Sequence, residues 1–335
     1  MKRASVALAL SLVTTLAAAG CSDDDDGPSI VVYNAQHEQL IEELAPAFTE
    51  ETGIDVELRN GKDLELSAQL VTEGEASDAD VFLTENSPAM SQVESEGLFS
   101  ELPAEIVAPI PEQFRPTSGL WTGFAARSTV LMYNTDLVDE SELPASIFDL
   151  AEPEWAGRIS FSPTGADFQA IVAAVLELEG EDVTRDWLQG IKDNGTVYDG
   201  NNVVLEAVNA GESEVGIAYH YYWYRDQQEA GEVSDNTALH FFRDQDPGAF
   251  VSVSGAGVLA SSDNKEDAEK FVDYLTSKAG QQGLADSYAL EYPLNQAVQL
   301  EPPVEPFDSL QPPAVNVSDL DGQAVVDLMT EVGFL

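Results

Sequence analysis

The sequence is short of cysteine, histidine and basic side chains. Its 335 residues include one cysteine, three histidines and 14 lysines and arginines, against 61 aspartates and glutamates, for a formal net charge of −47. A lone cysteine excludes an internal disulfide, and three scattered histidines do not make a zinc cluster. The charge excludes nucleic acid and anionic membrane surfaces as partners. Because the acids are spread along the chain, they permit a cationic ligand but are also explained by surface hydration, as in saline surroundings.

Catalytic signatures are also missing. The chain has no G-x-S-x-G, no H-E-x-x-H and no cysteine nucleophile, so an enzyme that uses a cleft ranks last among the possible functions. Residues 255–260 (GAGVLA) fit the dinucleotide pattern G-x-G-x-x-A. A strand-like run follows these glycines where the pattern needs a helix, and the charge opposes a phosphate ligand, so this interpretation is disfavoured.

The N-terminus has the pattern of an export signal. A basic start precedes an apolar stretch at 4–19 that is too short for a typical membrane span. The stretch ends in LAAAGC, which resembles a bacterial lipobox, although Ala18 stands where leucine is more usual. We expect residues 1–20 to be a signal peptide, Cys21 to be lipidated with more than one acyl chain, and residues 21–28 to form an acidic tether. Simple secretion with an unmodified cysteine is the alternative.

The rest of the chain predicts a packed globular body. Its length exceeds what one hydrophobic core usually organises, and 44% of the residues are hydrophobic, so two lobes are expected. Apolar periodicity predicts strand, helix, strand, helix and strand at 30–33, 38–49, 54–58, 64–73 and 79–83. This order predicts a parallel sheet with helices on its faces. Further strands are expected at 130–133, 158–161, 215–219, 249–253 and 257–260, and further helices at 167–178, 202–209, 265–276 and 322–331.

Three polar clusters follow predicted strands. Residues 34–37 (NAQH) follow the first strand, residues 84–87 (TENS) follow the third, and residues 220–222 (HYY) follow the strand at 215–219. Ligands of open α/β sheets lie beyond the carboxyl ends of the strands. These distant segments therefore predict a cleft assembled between two lobes.

Oxygen donors dominate what remains for chemistry. A hard, highly charged cation prefers carboxylate and phenolate oxygens, and Tyr221 and Tyr222 end a predicted strand, where each can present a phenol. A free phenol has a pKa near ~10 and ionises at neutral pH only with strong help, which a trivalent iron centre supplies. Taken alone, the aromatic run at 221–224 fits an aromatic core or a sugar platform better than a metal site.

Ordered segments of the chain resemble the bacterial ferric iron-binding proteins, which are the substrate-binding subunits of iron ABC importers. The similarity runs from about residue 30 to the C-terminus. Its specific segments are YNAQH at 33–37 and YYW at 221–223. Segments typical of the family scaffold lie at 79–85, 246–249 and 291–295.

The resemblance implies a function, a fold and a set of metal ligands. It implies that Fe(III) is bound by His37, Glu85, Tyr221 and Tyr222. It implies an α/β periplasmic-binding-protein type II fold with two lobes, each a mixed sheet flanked by helices, and a cleft between them. The lobes would comprise residues 29–127 with 252–302, and 128–251 with 303–335, joined by strands that cross near 127 and 251. It further implies a monomer in the periplasm or at the cell surface, which delivers iron to an ABC transporter permease without turnover chemistry.

The part of the site that holds an anion departs from the family pattern. Family members often add a bound phosphate near a P-T-S-G-A segment, whereas residues 163–167 read PTGAD here and place an acid where the anion would sit. We therefore expect weaker phosphate dependence, with carbonate, water or a protein group completing the coordination. The candidate anion-binding or second-sphere residues are Asn34, Thr164, Gly165, Asp167, Asn201, Tyr219 and His220. The alternative ligand for the same fold is a polyamine, whose cation suits the acidity, or another small solute such as a sugar or an oxyanion.

Overall fold

The structure is a computed structural model that describes residues 27–301 and 303–335. The predicted signal peptide and the lipidation of Cys21 lie outside the described residues. Within these ranges, no helix has the length and the apolar character needed to cross a bilayer.

The strands are β1 (Ser29–Asn34), β2 (Asp55–Asn60), β3 (Val81–Leu83), β4 (Thr122–Asn134), β5 (Ile159–Phe161), β6 (Gly195–Val197), β7 (Val215–Tyr219), β8 (Thr237–His240), β9 (Val251–Val258) and β10 (Tyr292–Pro293). The α-helices are α1 (Glu38–Thr52), α2 (Asp63–Glu73), α3 (Ser87–Ser95), α4 (Ala104–Val107), α5 (Ala166–Glu179), α6 (Glu181–Asn194), α7 (Asn201–Asn209), α8 (His220–Glu229), α9 (Lys265–Thr276), α10 (Lys278–Asp286) and α11 (Gly322–Val332).

One mixed sheet runs through the molecule in two halves that meet at β4. In the first half, β1 pairs in parallel with β2 and β3, which confirms the predicted parallel arrangement, and β9 lies antiparallel between β3 and β4. In the second half, β4 pairs antiparallel with β7 and β8, and β5 lies parallel between β7 and β6. Along β4, residues 122–128 pair with β9 and residues 129–133 pair with β7. The strand expected at 130–133 is thus the second part of a longer element that joins the two halves.

Helices cover the sheet because each of them buries one apolar stripe. On α1 the buried residues recur at helical spacing: Leu40, Ile41, Leu44, Ala45 and Phe48. Phe48 packs against Phe271 of α9, with the ring centroids 5.0 Å apart. Burial of each large side chain of this kind stabilises the fold by about 1.5–3 kcal/mol.

The C-terminal helix returns to the second half of the sheet. Helix α11 packs against α5 and α6, and the ring of Phe334 lies 5.5 Å from that of Phe161 on β5. Chain termini that dock in this way are tied down by apolar contact. The assignment of residues 303–335 to a second lobe stays a prediction, as do the other lobe boundaries.

The glycines at 255–257 lie inside a strand. The strands expected at 249–253 and 257–260 are a single strand, β9, which corrects that prediction. A Cβ atom at Gly255 would meet Met90 at 2.3 Å, and one at Gly257 would meet Phe99 at 2.6 Å. These glycines therefore serve close packing of β9 against its neighbours, and the segment is not a phosphate-binding loop.

Candidate metal centre

Three chain segments converge at the carboxyl ends of β1, β3 and β7. His37 directly precedes α1, Glu85 follows β3, and Tyr221 and Tyr222 lie in the first turn of α8. The tyrosines thus begin a helix, which corrects the expectation that they end a strand, because β7 stops at Tyr219. The two phenol rings pack side by side, with centroids 4.2 Å apart.

The four predicted ligands come together with Asp167. His37 Nε2 lies 3.2 Å from Tyr221 Oη and 3.5 Å from Glu85 Oε1, and Tyr221 Oη lies 3.2 Å from Glu85 Oε1. Asp167 Oδ2 lies 3.1 Å from Tyr222 Oη and 3.4 Å from Tyr221 Oη. We call these five side chains the donor cluster. Atoms that bind one ion at about 2.0–2.2 Å sit about 3 Å apart, so the spacing of the donor cluster fits a shared ion.

A metal ion in the donor cluster would need the phenol oxygens of Tyr221 and Tyr222 as well as the other donors. Among the described residues, no three histidine, cysteine, aspartate or glutamate side chains are placed to hold a metal ion by themselves. Burial and the neighbouring Asp167 raise the pKa of Tyr221 and of Tyr222 well above 10. Without a metal both phenols are therefore protonated at neutral pH, and an ion that binds them must displace their protons.

Burial also sets the protonation of the other donors. Burial, and then the charge of Glu85, raise the pKa of Asp167 to about 7. Burial raises the pKa of Glu85, although the nearby Arg127 guanidinium opposes the shift. Burial lowers the pKa of His37 to about 4, so its imidazole is neutral at pH 7 and has a lone pair for a metal.

The predicted anion-binding segment borders the donor cluster. A cleft of about 570 Å³ is lined by donor-cluster side chains and by Thr164, Gly165 and Asn201. Asn201 Nδ2 donates to Asp167 Oδ2 at 2.8 Å, and Tyr219 Oη donates to the Asp167 carbonyl at 3.3 Å. The acid at 167 thus occupies a polar pocket in which side-chain amide and phenol groups surround it.

Two predicted second-sphere residues lie elsewhere. Asn34 Nδ2 donates to Asn60 Oδ1 at 2.8 Å between β1 and β2. His220 uses both ring nitrogens on the backbone, since Nδ1 accepts from the Ser128 N–H and Nε2 donates to the Leu290 carbonyl. Burial lowers the pKa of His220 to about 3, so it is a neutral structural residue and not a member of the donor cluster.

Sequence reasoning missed a buried ion pair beneath the donor cluster. Arg127 on β4 and Glu291 are both fully buried and lie 2.7 Å apart. Ser254 and Gln36 complete the network, and Glu291 Oε1 lies 3.8 Å from His37 Nε2. The one available signal was an arginine inside a strand that contains no other charged residue.

A second missed residue is Arg225, one helical turn after Tyr221. Its guanidinium lies 4.4 Å from the ring centroid of Tyr221 and 4.5 Å from that of Tyr288. A cation between two aromatic faces is attracted by both rings. Arg225 therefore holds the Tyr221 ring in place and puts a positive charge beside a potential phenolate.

Comparisons of sequence identify relatives over almost the whole chain. Residues 77–314 match the family described as bacterial extracellular solute-binding protein. The chain is 49% identical to an Fe(3+)-binding periplasmic protein of Serratia marcescens, over 98% of this chain and 96% of that protein. It is 39% identical to the major ferric iron-binding protein of Neisseria meningitidis serogroup B, over 86% and 88% of the two chains.

Comparisons of structure identify relatives of the same kind as the comparisons of sequence. Iron-bound HitA from Pseudomonas aeruginosa superimposes with a TM-score of 0.87 at 39% identity, over 92% of this chain and all of that chain. The Trichodesmium protein named IdiA or FutA, solved with iron and citrate ligands, superimposes with a TM-score of 0.81 at 29% identity, over the same shares. The predicted two-lobed α/β fold is confirmed by these neighbours. The chain therefore belongs to the bacterial extracellular solute-binding proteins and, within them, to the ferric iron-binding proteins.

Proposed function

We propose that this protein captures Fe(III) outside the cytoplasm and passes it to an ABC importer. The observation that carries the proposal is the donor cluster, in which one imidazole nitrogen and four oxygens lie 3.1–3.5 Å from their neighbours. Two phenolates and two carboxylates suit a hard trivalent cation, whereas a polyamine needs no phenolate. The names of the relatives indicate the same ligand.

In this proposal His37, Glu85, Tyr221 and Tyr222 bind the ion, and Asp167 replaces the anion that other family members take from solution. The carboxylate of Asp167 already lies within 3.4 Å of both phenol oxygens. Four anionic donors then face three positive charges, so a further anion adds repulsion. The adjoining cleft leaves room for water in the open coordination positions, or for carbonate or phosphate that adds little to the affinity.

Visible absorption tests the iron assignment. Addition of ferric citrate to the metal-free protein should produce a phenolate-to-iron band, because iron bound to tyrosinate absorbs visible light. Tyr221→Phe and Tyr222→Phe should each weaken the band, and the double variant should abolish it. Tyr33→Phe is the matched control, since Tyr33 is buried like Tyr221 but donates to Glu73 outside the donor cluster. A wild-type protein without such a band would refute the assignment.

Delivery to a permease follows from membership of a family of binding and transport proteins. We propose that the protein acts as a monomer in the periplasm or at the cell surface, and that its two lobes meet at β4 and β9.

We expect iron to close the cleft, because Glu85 follows β3 in the first half of the sheet and Tyr221 follows β7 in the second half. Small-angle scattering checks this: the radius of gyration should fall on iron binding in the wild type and stay constant in the double tyrosine variant.

We propose that Cys21 is the lipid anchor. Export of the full-length chain in cells fed labelled palmitate should label the wild type, because the lipidated cysteine becomes the first mature residue. Cys21→Ser should lose both the label and membrane attachment. An unlabelled wild type in the soluble fraction would leave ordinary secretion as the correct interpretation.

A further inference from the structure

Asp63 is a buried acid that is not a member of the donor cluster. It is the first residue of α2, and only 5% of its surface is exposed. Its carboxylate accepts hydrogen bonds from the backbone N–H groups of Glu85 and Asn86, each at 2.9 Å. These two residues lie between β3 and α3, in a segment without regular secondary structure.

The backbone carbonyl group of Glu85 is also hydrogen-bonded to buried side chains. Its carbonyl accepts hydrogen bonds from the Arg127 guanidinium and from Ser254 Oγ, the latter at 3.2 Å. Arg127 is fully buried on β4, and Ser254 lies on β9. Both peptide groups of Glu85 are thus hydrogen-bonded to buried polar side chains, while its own carboxylate points to Tyr221.

Burying Asp63 costs free energy of hydration, and its hydrogen bonds order only the short segment at Glu85 and Asn86. A buried carboxyl group loses its hydrogen bonds to water, and a loop position ordinarily retains backbone freedom. Here the bonds to Asp63 fix the backbone of the one donor-cluster residue that neither lies in a helix nor directly precedes one. A donor that is already aimed binds more tightly, because ordering is not left to the moment of binding.

We propose that Asp63 is a positioning residue for the metal site, which fixes the backbone of Glu85 so that the Glu85 carboxylate faces the donor cluster before iron arrives. The inference deepens the proposed function and rests on it. Asp63 binds no metal itself and acts through Glu85 alone. Its effect must therefore disappear when Glu85 can no longer bind as a carboxylate.

A double-mutant cycle tests this dependence. Asp63→Asn replaces one of the two accepting oxygens with an amide NH₂ group, which then faces a backbone N–H donor. We expect apparent Fe(III) affinity, measured by competition with citrate, to fall by about 10–100-fold, the range found for outer-shell partners of metal ligands. In a Glu85→Gln background the same change should cost less than about twofold. The wavelength of the phenolate-to-iron band should not move, because the tyrosines are untouched.

Asp80 provides the matched control. It is also buried, at 3% exposure, and its carboxylate accepts from the backbone N–H of Val31 at 2.8 Å and from Ser262. Asp80→Asn should lower the melting temperature without changing iron affinity in either background. Unchanged affinity in Asp63→Asn, or an equal loss in the Glu85→Gln background, would overturn the inference.

Two further measurements keep the outcome clear. If Asp63→Asn does not fold, Asp63→Glu retains both accepting oxygens but shifts them by one methylene group, and it should also weaken iron binding only when Glu85 is present. An affinity that Asp63→Glu leaves unchanged then overturns the inference. Failure of the proposed function looks different, since the wild-type protein itself would then bind no iron and show no band.

Discussion

Asp167 shows how one side chain changes the chemistry of the donor cluster. It is buried at the start of α5, accepts a hydrogen bond from Asn201, and lies against both phenols. In a site that depends on a dissolved anion, affinity varies with the concentration of that anion. An internal carboxylate removes this dependence because it is tethered to the protein.

Asp167→Asn should make iron binding depend on phosphate. We expect affinity without phosphate to fall by about 10–100-fold, since a negative donor is lost, and added phosphate to restore part of it. Wild-type affinity should not change with phosphate. Titrations with and without phosphate measure this, with the exposed Asp182→Asn on α6 as the control. A strict phosphate requirement in the wild type would contradict both this prediction and the internal-anion proposal.

The number of protons released when iron binds should also depend on Asp167. In the metal-free protein the pKa of Asp167 is raised to about 7, so Asp167 is protonated at about pH 6 and ionised at about pH 9. Iron binding at the lower pH therefore expels a proton from Asp167 in addition to those from the tyrosines. Compared with Asp167→Asn, the wild type should release about one more proton per iron at about pH 6, and nearly the same number at about pH 9. Indicator-dye measurements would contradict the assignment if the difference did not change with pH.

At the scale of elements, the site depends on where strands end and helices begin. β7 ends at Tyr219 and α8 begins at His220, so Tyr221 and Tyr222 of the donor cluster occupy the first helical turn. The local sequence favours this switch weakly, because aromatic residues are common in strands. The helix is selected by packing: Trp223 donates to Thr237, and Tyr224 accepts from the Glu305 N–H.

The glycines of β9 should prove structural. Gly257→Ala would place a Cβ atom 2.6 Å from the Phe99 ring, which is rigid, so we expect a loss of about 1–3 kcal/mol in the free energy of unfolding. Gly27→Ala, at an exposed position without close neighbours, should change stability little. Urea denaturation measures both. An unaltered midpoint for Gly257→Ala would contradict the packing role.

The whole molecule carries a net charge of −47, and its consequences are global. Like charges on one body repel each other, which destabilises the compact state, and salt screens this repulsion. The metal-free protein should therefore melt several degrees higher at about 0.5 M than at about 0.01 M salt. Sodium and potassium chloride should act alike if screening is the cause. A melting temperature independent of salt would show that the repulsion is already balanced.

The local pattern of apolar residues was sufficient to predict much of the secondary structure. The strand at 215–219 and the helix at 265–276 have the predicted bounds, and the first three strands pair in parallel as expected. Helices α3, α4, α6, α8 and α10 were not predicted. α10 carries Gly280 and Gly283, which are weak helix formers, so its helical state depends on packing against α9.

The sequence by itself predicted which side chains form the donor cluster: four were named from ordered motifs, and an acid was noted at 167 where the family resemblance implies an anion-binding segment. Only the tertiary structure decided how these residues meet. Arg127 pairs with Glu291 across 164 positions, and Asp63 bonds to Glu85 across 22. Periodicity reports which face of an element is apolar, but not which distant polar group that face will meet. Buried polar contacts are therefore fixed by the packing of whole elements, and the orientation of the donor-cluster side chains is fixed with them.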